Sequence, residues 1–430
     1  MNQNIAHHNR RREIALPSVI VLCNVVSGLA TARSISDGGV EVHAAIFNRK
    51  DPIRFSRCCQ KIDFSSMGTE DELINHLIAY ARNMKTRPFV IPTSDEHALL
   101  LAKNYSRLSP YCLLWKTPYE VLKKIINKHE LYTLARTAGV NIVPAIVEPN
   151  PDQLARWVKD NTGPYFLKPF YEGISICKLK EKNLVVETKE QLIEYVARNG
   201  ATGLVVQRFI QGGDGYIFDT YGLCDRNGDI LAIATHRRWR QNPPDTGTTS
   251  FGEIPARPEG KEEDVLFEFT GRLLDKIRYH GIFGIEWLQD RKTGELYIID
   301  FNARPFTSIG HLTECGLNLP LLAYREAVGD DLSDIVHKPI LKHLFWIDFL
   351  SDLWWVQQKR KNHDFEWAAW MTSIMRLKRH AYLSWRDPGP GAYRIFEVAR
   401  IIIRTLRKKL NVDSTHPERN ENHSPLVPPR

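Results

Sequence analysis

The sequence lacks paired cysteines. Cys23, Cys58, Cys59, Cys112, Cys177, Cys224 and Cys315 are odd in number and never spaced Cys-x-x-Cys. That pattern speaks against a disulfide framework or a zinc site and for reduced, mostly buried thiols in a cytoplasm. No apolar run approaches membrane-spanning length, and Met1–Glu13 is polar and basic, without the apolar core of a signal segment. A dinucleotide-binding turn is also missing, because the lone Gly28 cannot replace the three glycines that close pyrophosphate approach requires. The modules that interleave aromatic and basic residues to read nucleic acid are absent despite a net charge of +8. That charge is local: residues 356–410 carry thirteen Lys and Arg against four Asp and Glu.

What is present is a chain of 430 residues with ordinary apolar and charged fractions, long enough for two or three domains. Pro17–Asn24 and Val40–Asn48 read as strands, Leu29–Ile35 as a helix and Phe89–Thr93 as a further strand. Their alternation predicts a small parallel α/β domain over residues 17–124. Ile125–Ala138 has helical spacing and stops at Gly139. Two α+β lobes follow, about 141–206 and 207–328, with a hairpin turn at Asp225-Arg-Asn-Gly-Asp229. Residues 1–16 and 411–430 have the composition of disordered arms.

The most informative stretch is Phe283–Arg304. Two alternating runs, Ile282–Gln289 and Leu296–Ala303, flank Lys292-Thr293-Gly294, which predicts a hairpin with a three-residue loop. That register sets Glu286 opposite Asp300, with Asn302 and Arg304 on the same face and Ile285, Trp287, Ile299 and Phe301 on the buried one. Opposed carboxylates repel unless a cation lies between them. Two carboxylates and an amide oxygen suit Mg²⁺ (or Mn²⁺) carrying phosphate and water. The alternative is a solvated hairpin whose acids face water. Further upstream, His236-Arg-Arg-Trp-Arg-Gln241 concentrates three arginines after the strand-like Ile230–Thr235. If the strand continues, Arg238 and Arg240 share one face and Arg237 takes the other, either as an anion clamp or as an exposed basic loop.

Acid, spacer and then Asp300-x-Asn302-x-Arg304 resembles the metal-binding end of the ATP-grasp superfamily. The motifs Pro92-Thr-Ser-Asp-Glu96, Asn127-Lys128, Ala138-Gly-Val140, Phe166-Leu-Lys-Pro169 and Val206-Gln-Arg-Phe-Ile-Gln-Gly212 follow in family order. The resemblance spans roughly residues 17–328 and is greatest to carbamoyl-phosphate-synthase-like carboxylate–amine ligases. It implies a pre-ATP-grasp α/β domain followed by a two-lobed ATP-grasp domain at 125–328. It also implies ATP and magnesium as cofactors, with Glu286, Asp300 and Asn302 as metal ligands. Lys128 and Lys168 are assigned to phosphates, Gln207, Arg208, Phe209 and Ile210 to adenine, and Glu172 and Ser175 to a loop over the phosphates. Arg304, with Arg238 and Arg240, falls where an acyl phosphate would form, and Ser94, Asp95 and Arg237 fall on the substrate side. This chain departs from the pattern at Asp300 and Gln207, where the family more often has Glu, and in having only Gly173 in the phosphate loop.

The implied reaction joins the carboxylate of a small acidic substrate to an amine through an acyl phosphate, converting ATP to ADP and phosphate. The alternatives are an ATP-dependent carboxylase or carbamoyl-phosphate-type enzyme, and a nucleotide-binding regulator without turnover. No biotin-carrier or glutamine-hydrolysing domain is evident, and a homodimer is common in the family. Residues 329–410 differ in character, with six of the ten tryptophans between Trp346 and Trp385, helical spacing and few strand signals, and read as mainly helical. Asp387-Pro-Gly-Pro-Gly391 precedes a basic amphipathic helix over 392–410, suited either to an anionic membrane or to docking on the protein or a dimer partner.

Overall fold

The computed structural model describes residues 16–169, 184–256, 262–332 and 342–413, the side chains of 377, 378, 401, 402 and 404–413 excepted. The two terminal arms expected to be disordered, apart from Leu16 and residues 411–413, lie outside this set, as do Glu172, Gly173 and Ser175. Among the described residues there are three sheets. The first is parallel, in the order β3-β2-β1-β4, from β1 (Val19–Cys23), β2 (Val42–Ile46), β3 (Gln60–Asp63) and β4 (Phe89–Pro92). β1, β2 and β4 are buried at every position, as strands covered on both faces must be. β3 has no matching expectation because only Ile62 of its four residues is buried. The helix expected at Leu29–Ile35 runs over Val25–Ser36.

A second, antiparallel sheet has the order β5-β8-β6-β7, from β5 (Ala145–Val147), β6 (Tyr165–Pro169), β7 (Leu184–Val186) and β8 (Leu204–Arg208). Its helices Pro151–Asp160 and Lys189–Asn199 each start in a capping box, Asn150 with Gln153 and Thr188 with Gln191. The third and largest sheet has the order β13-β12-β9-β10-β11-β14-β15. Its strands are β9 (Ile217–Cys224), β10 (Ile230–Asn242), β11 (Thr248–Ile254), β12 (Gly281–Gln289), β13 (Leu296–Asn302), β14 (Leu344–Ile347) and β15 (Leu377–His380). The Trp-rich region is mainly helical, as expected, and its two short strands extend this sheet, with β14 pairing antiparallel to β11.

The single helix expected at Ile125–Ala138 is two, Tyr119–Ile126 and Lys128–Thr137. Asn127 is extended (φ −79°, ψ 117°), and its Oδ1 accepts the N–H groups of His129 and Glu130. An Asn that caps the next helix breaks the previous one, and Lys128 thereby becomes the first residue of a new helix.

The C-terminal region is fastened to the first sheet's helices by Asp387. Its carboxylate accepts Arg33 Nε (2.9 Å), Ser56 Oγ (2.7 Å) and the Arg57 N–H (2.9 Å). The final helix, Gly389–Asp413, starts just beyond, with Tyr393 stacked on Phe55 at 4.4 Å. Burial raises the Asp387 pKa, but the Ser56, Arg57 and Arg33 donors outweigh it and hold the carboxyl below its usual range. A depressed folded-state pKa contributes stability above the ordinary carboxylate pKa, and that stability is lost as pH falls through the folded value. Asp387→Asn is therefore expected to lower the melting temperature at neutral pH and to flatten the decline below about pH 4. An unchanged acid limb in thermal melts would show that this carboxylate is not a significant link. Among the described residues no helix is long and apolar enough to cross a membrane.

Candidate active site

The large sheet builds the site as a row. Register partners run Asp300 on β13, Glu286 on β12, Asp219 on β9 and His236 on β10. Three neighbouring carboxylates stand together only with counter-charge between them. Arg238 supplies it on one side, its Nε 2.9 Å from Asp219 Oδ2 and its Nη2 2.5 Å from Asp219 Oδ1 and 2.8 Å from Glu286 Oε1. Lys128 supplies it on the other, Nζ to Asp300 Oδ2 at 2.9 Å. His236 Nδ1 lies 2.7 Å from Asp219 Oδ2. Burial raises the Asp219 pKa, yet Arg238 and His236 outweigh it and bring the carboxyl down to about 2. Asp300 is also held below its ordinary value, with burial opposed by Lys128, Lys168 and the Phe301 N–H.

The expected Glu286–Asp300 pairing is present, but the turn that leads to it differs. Asp290 N–H bonds to Glu295 O, so the loop is the four residues Arg291–Gly294, and Gln289, not Arg291, heads the ladder opposite Leu296. Ile299 restores the register as the extra residue of a β-bulge between Ile298 and Asp300. The buried face therefore carries Ile285, Trp287, Ile298 and Phe301. Ile299 is corrected to the opposite side, packed with Val143, Ile210, Tyr297 and Leu288.

Tyr132 links the second sheet to β13 and was not among the sequence candidates. Its hydroxyl accepts Lys168 Nζ (2.7 Å) and Gln207 Nε2 (3.3 Å) and donates to Ile299 O (3.3 Å). The signal was available: Tyr132 is four residues beyond Lys128 on one helix, hence on the same face. Lys128, Lys168 and Gln207 are all buried here. Asp219 was missed too, although an acid inside the apolar run Ile217–Cys224 demands a partner.

The segment Gln207–Ile210, assigned to adenine by the resemblance alone, lies at the end of β8. The N–H groups of Arg208 and Phe209 bond to Pro144 O and Pro164 O. Phe209 faces Phe166 at 6.5 Å, and Ile210 is buried beside Ile299. Asn302 Nδ2 donates to Glu286 Oε1 (3.0 Å), leaving its carbonyl oxygen as the remaining polar atom. Arg304 faces Asp95 (Nε to Oδ1, 3.2 Å), which brings one residue of the β4 end to the site. Ser94 is instead a helix cap, its Oγ accepting the His97 N–H.

The three arginines of β10 part company. A register shift between Arg238 and Arg240 separates them, and only Arg238 reaches the acids. Arg240 is corrected from the site: it is bidentate on Asp352 (2.6 and 3.0 Å) and donates to Ser373 Oγ (2.7 Å). Arg237 donates to Gly215 O and stacks on Trp239 at 4.0 Å, away from the acid row.

No protein-family model matches the chain. Over 221 residues it is 21% identical to the arginine-specific carbamoyl phosphate synthase large chain of Geobacillus stearothermophilus, a match covering 51% of this chain. It covers 20% of that protein, so the chain spans about a fifth of the length of the curated relative it matches. Similar solved structures include N5-carboxyaminoimidazole synthetase from Staphylococcus aureus (TM-score 0.62, 15% identity, 82% of this chain and 87% of that one). Biotin carboxylase from Campylobacter jejuni gives 0.60 at 16% identity over 77% and 75%. L-amino acid ligase from Bacillus licheniformis gives 0.56 at 14% identity over 76% and 79%. At these identities the likeness is one of fold: the chain has the ATP-grasp fold.

Proposed function

We propose that the chain is an ATP-dependent ligase that joins the carboxylate of a small acidic substrate to an amine through an acyl phosphate. One observation carries the reading. Two buried lysines, Lys128 at the start of the helix Lys128–Thr137 and Lys168 on β6, converge through Asp300 and Tyr132 on the acid row of the large sheet. Cations at that density beside carboxylates suit a polyphosphate accompanied by metal. The domain division 17–124, 125–328 and 329–410 belongs to the same proposal.

The donor set fits magnesium brought in with a nucleotide. Among the described residues no group of three or more His, Cys, Asp or Glu side chains is arranged to hold a metal unaided. Glu286, Asp300 and the Asn302 oxygen would hold Mg²⁺ only with oxygens supplied by the ligand. When bound, the metal neutralises charge on the phosphates. The chain's own residues do the remaining work. Lys128 and Lys168 orient the phosphates, Arg238 fixes Glu286, and Arg304 holds the substrate carboxylate as it attacks the terminal phosphorus. The bond to ADP breaks, and the amine then displaces phosphate from the acyl carbon. ADP and Mg·ADP complexes of similar structures support this reading.

A phosphate-release screen of amino acids and acidic metabolites in pairs, followed by mass spectrometry of the product, tests it. An amide product supports the proposal. Release driven by bicarbonate alone favours a carboxylase, and Mg·ATP binding with no release from any pair favours a regulator. Tyr132→Phe removes one acceptor of Lys168 and is expected to raise the KM for ATP about tenfold, the equivalent of one hydrogen bond to a charged group. An unchanged KM in steady-state assays would show that the hydroxyl does not position Lys168. Contact of residues 392–410 with a membrane also stands as a proposal. That helix begins docked on Phe55, while Ile395 and Phe396 beyond the contact are exposed.

A further inference from the structure

The helix Trp367–Met375 reads Trp-Ala-Ala-Trp-Met-Thr-Ser-Ile-Met, and none of its nine residues is buried. A helix this apolar ordinarily lies inside a core. Trp367, Met371 and Met375 form a stripe at i, i+4 and i+8, with 55%, 50% and 76% of their surfaces exposed. The opposite side is accounted for: Trp370 Nε1 donates to Asp352 Oδ2 (2.8 Å), and Ser373 Oγ accepts Arg240. The stripe is therefore held outward by a polar anchor on its back.

Cations outnumber acids at the border of the stripe, where Glu366 beside Trp367 is also exposed. Arg360 lies over the Trp367 ring at 5.5 Å, and Arg376, next to Met375, is exposed. On the neighbouring helix Phe349–Lys361 the outward face carries the exposed Trp354 and, seven residues on, the exposed Lys361. The surrounding region, residues 356–410, has thirteen Lys and Arg against four Asp and Glu.

We propose that this face seats the protein on an anionic bilayer, with Trp367, Met371 and Met375 entering the interface and Arg360, Lys361 and Arg376 meeting lipid headgroups. Tryptophan suits that boundary, being apolar in bulk with one polar edge. Cations beside an apolar stripe add electrostatic attraction to negatively charged lipid. A second copy of the chain is the weaker occupant. A two-fold contact brings the same patch from each partner together and would place the cation rim against itself. The proposal is independent of the ligase reading.

Flotation of the full chain with vesicles of phosphatidylcholine alone, or of equal parts phosphatidylcholine and phosphatidylglycerol, tests it. The expected result is binding to the anionic vesicles only, weakened by salt. The triple substitution Trp367→Ser, Met371→Ser, Met375→Ser is expected to lower the bound fraction about tenfold. Arg360→Glu with Arg376→Glu should do the same and leaves the apolar stripe in place. Melting temperatures near wild type establish that both variants fold, and if the triple variant does not fold the charge-reversal pair decides. The proposal is overturned if the wild-type chain ignores anionic vesicles. It is equally overturned if the folded variants bind undiminished, or if sedimentation shows a dimer that the stripe substitutions dissociate.

Discussion

Glu286→Gln and Asp300→Asn are each expected to reduce ADP formation by about a thousandfold, the equivalent of ~4 kcal/mol of transition-state stabilisation. Both substitutions keep the size of the side chain and an oxygen that can accept a hydrogen bond. Asn at 300 can still receive Lys128 Nζ, and Gln at 286 can still receive Asn302 and Arg238. What is removed is one negative charge from a donor set that has only two carboxylates and an amide for a metal. The two variants also differ usefully. Arg238 retains its bidentate partner Asp219 when Glu286 is neutral, so that variant should melt near wild type. Lys128 is buried and pairs with the Asp300 carboxylate, so the second variant, which neutralises that partner, should be measurably less stable while remaining folded. ADP release by a coupled assay, alongside thermal melts, separates the effects. Release within a few-fold of wild type in both would remove the hairpin from the chemistry.

Asp352→Ala is expected to cost about 3–5 kcal/mol of stability, the effect of stranding a buried cation. Asp352 has no exposed surface, and its two oxygens receive Arg240 Nε and Nη2, Ser250 Oγ and Trp370 Nε1. Arg240 would keep Ser373 and the faces of Phe251 and Trp355, but no carboxylate. Denaturant titration measures the change. A loss below about 1 kcal/mol would mean that water enters and solvates the guanidinium, as at an exposed pair. The double variant Asp352→Leu with Arg240→Met should recover much of the loss, because replacing both members of a buried pair is often near neutral.

Much of the site was legible because hairpins are encoded locally. Period-two alternation and a glycine in the loop were enough to bring Glu286 opposite Asp300. The route to that register was not legible. A four-residue loop shifted the ladder by one residue, and the bulge at Ile299 shifted it back. Bulges answer to packing on both sides of a sheet, here the clusters around Trp287 and around Ile210, and no local spacing announces them. The same limitation separated Arg238 from Arg240, where strict alternation predicted one face and a register shift delivered two destinations. Asn127 was a readable helix cap, with Glu130 three residues on, yet continuous helical spacing on either side concealed the break. Asp219 and Tyr132 needed the fold, because each acquires its role from partners far away in the chain.

The two strands contributed by the C-terminal region have a consequence for solubility. Without them β11, seven residues long and almost entirely buried, would end the large sheet and offer open backbone groups to any other extended chain. With them the sheet ends in β15, which is four residues long and carries the exposed Arg379 paired with Glu314. A short, charged margin is poor template for a foreign strand. The C-terminal strands thus also protect the molecule against sheet-to-sheet aggregation.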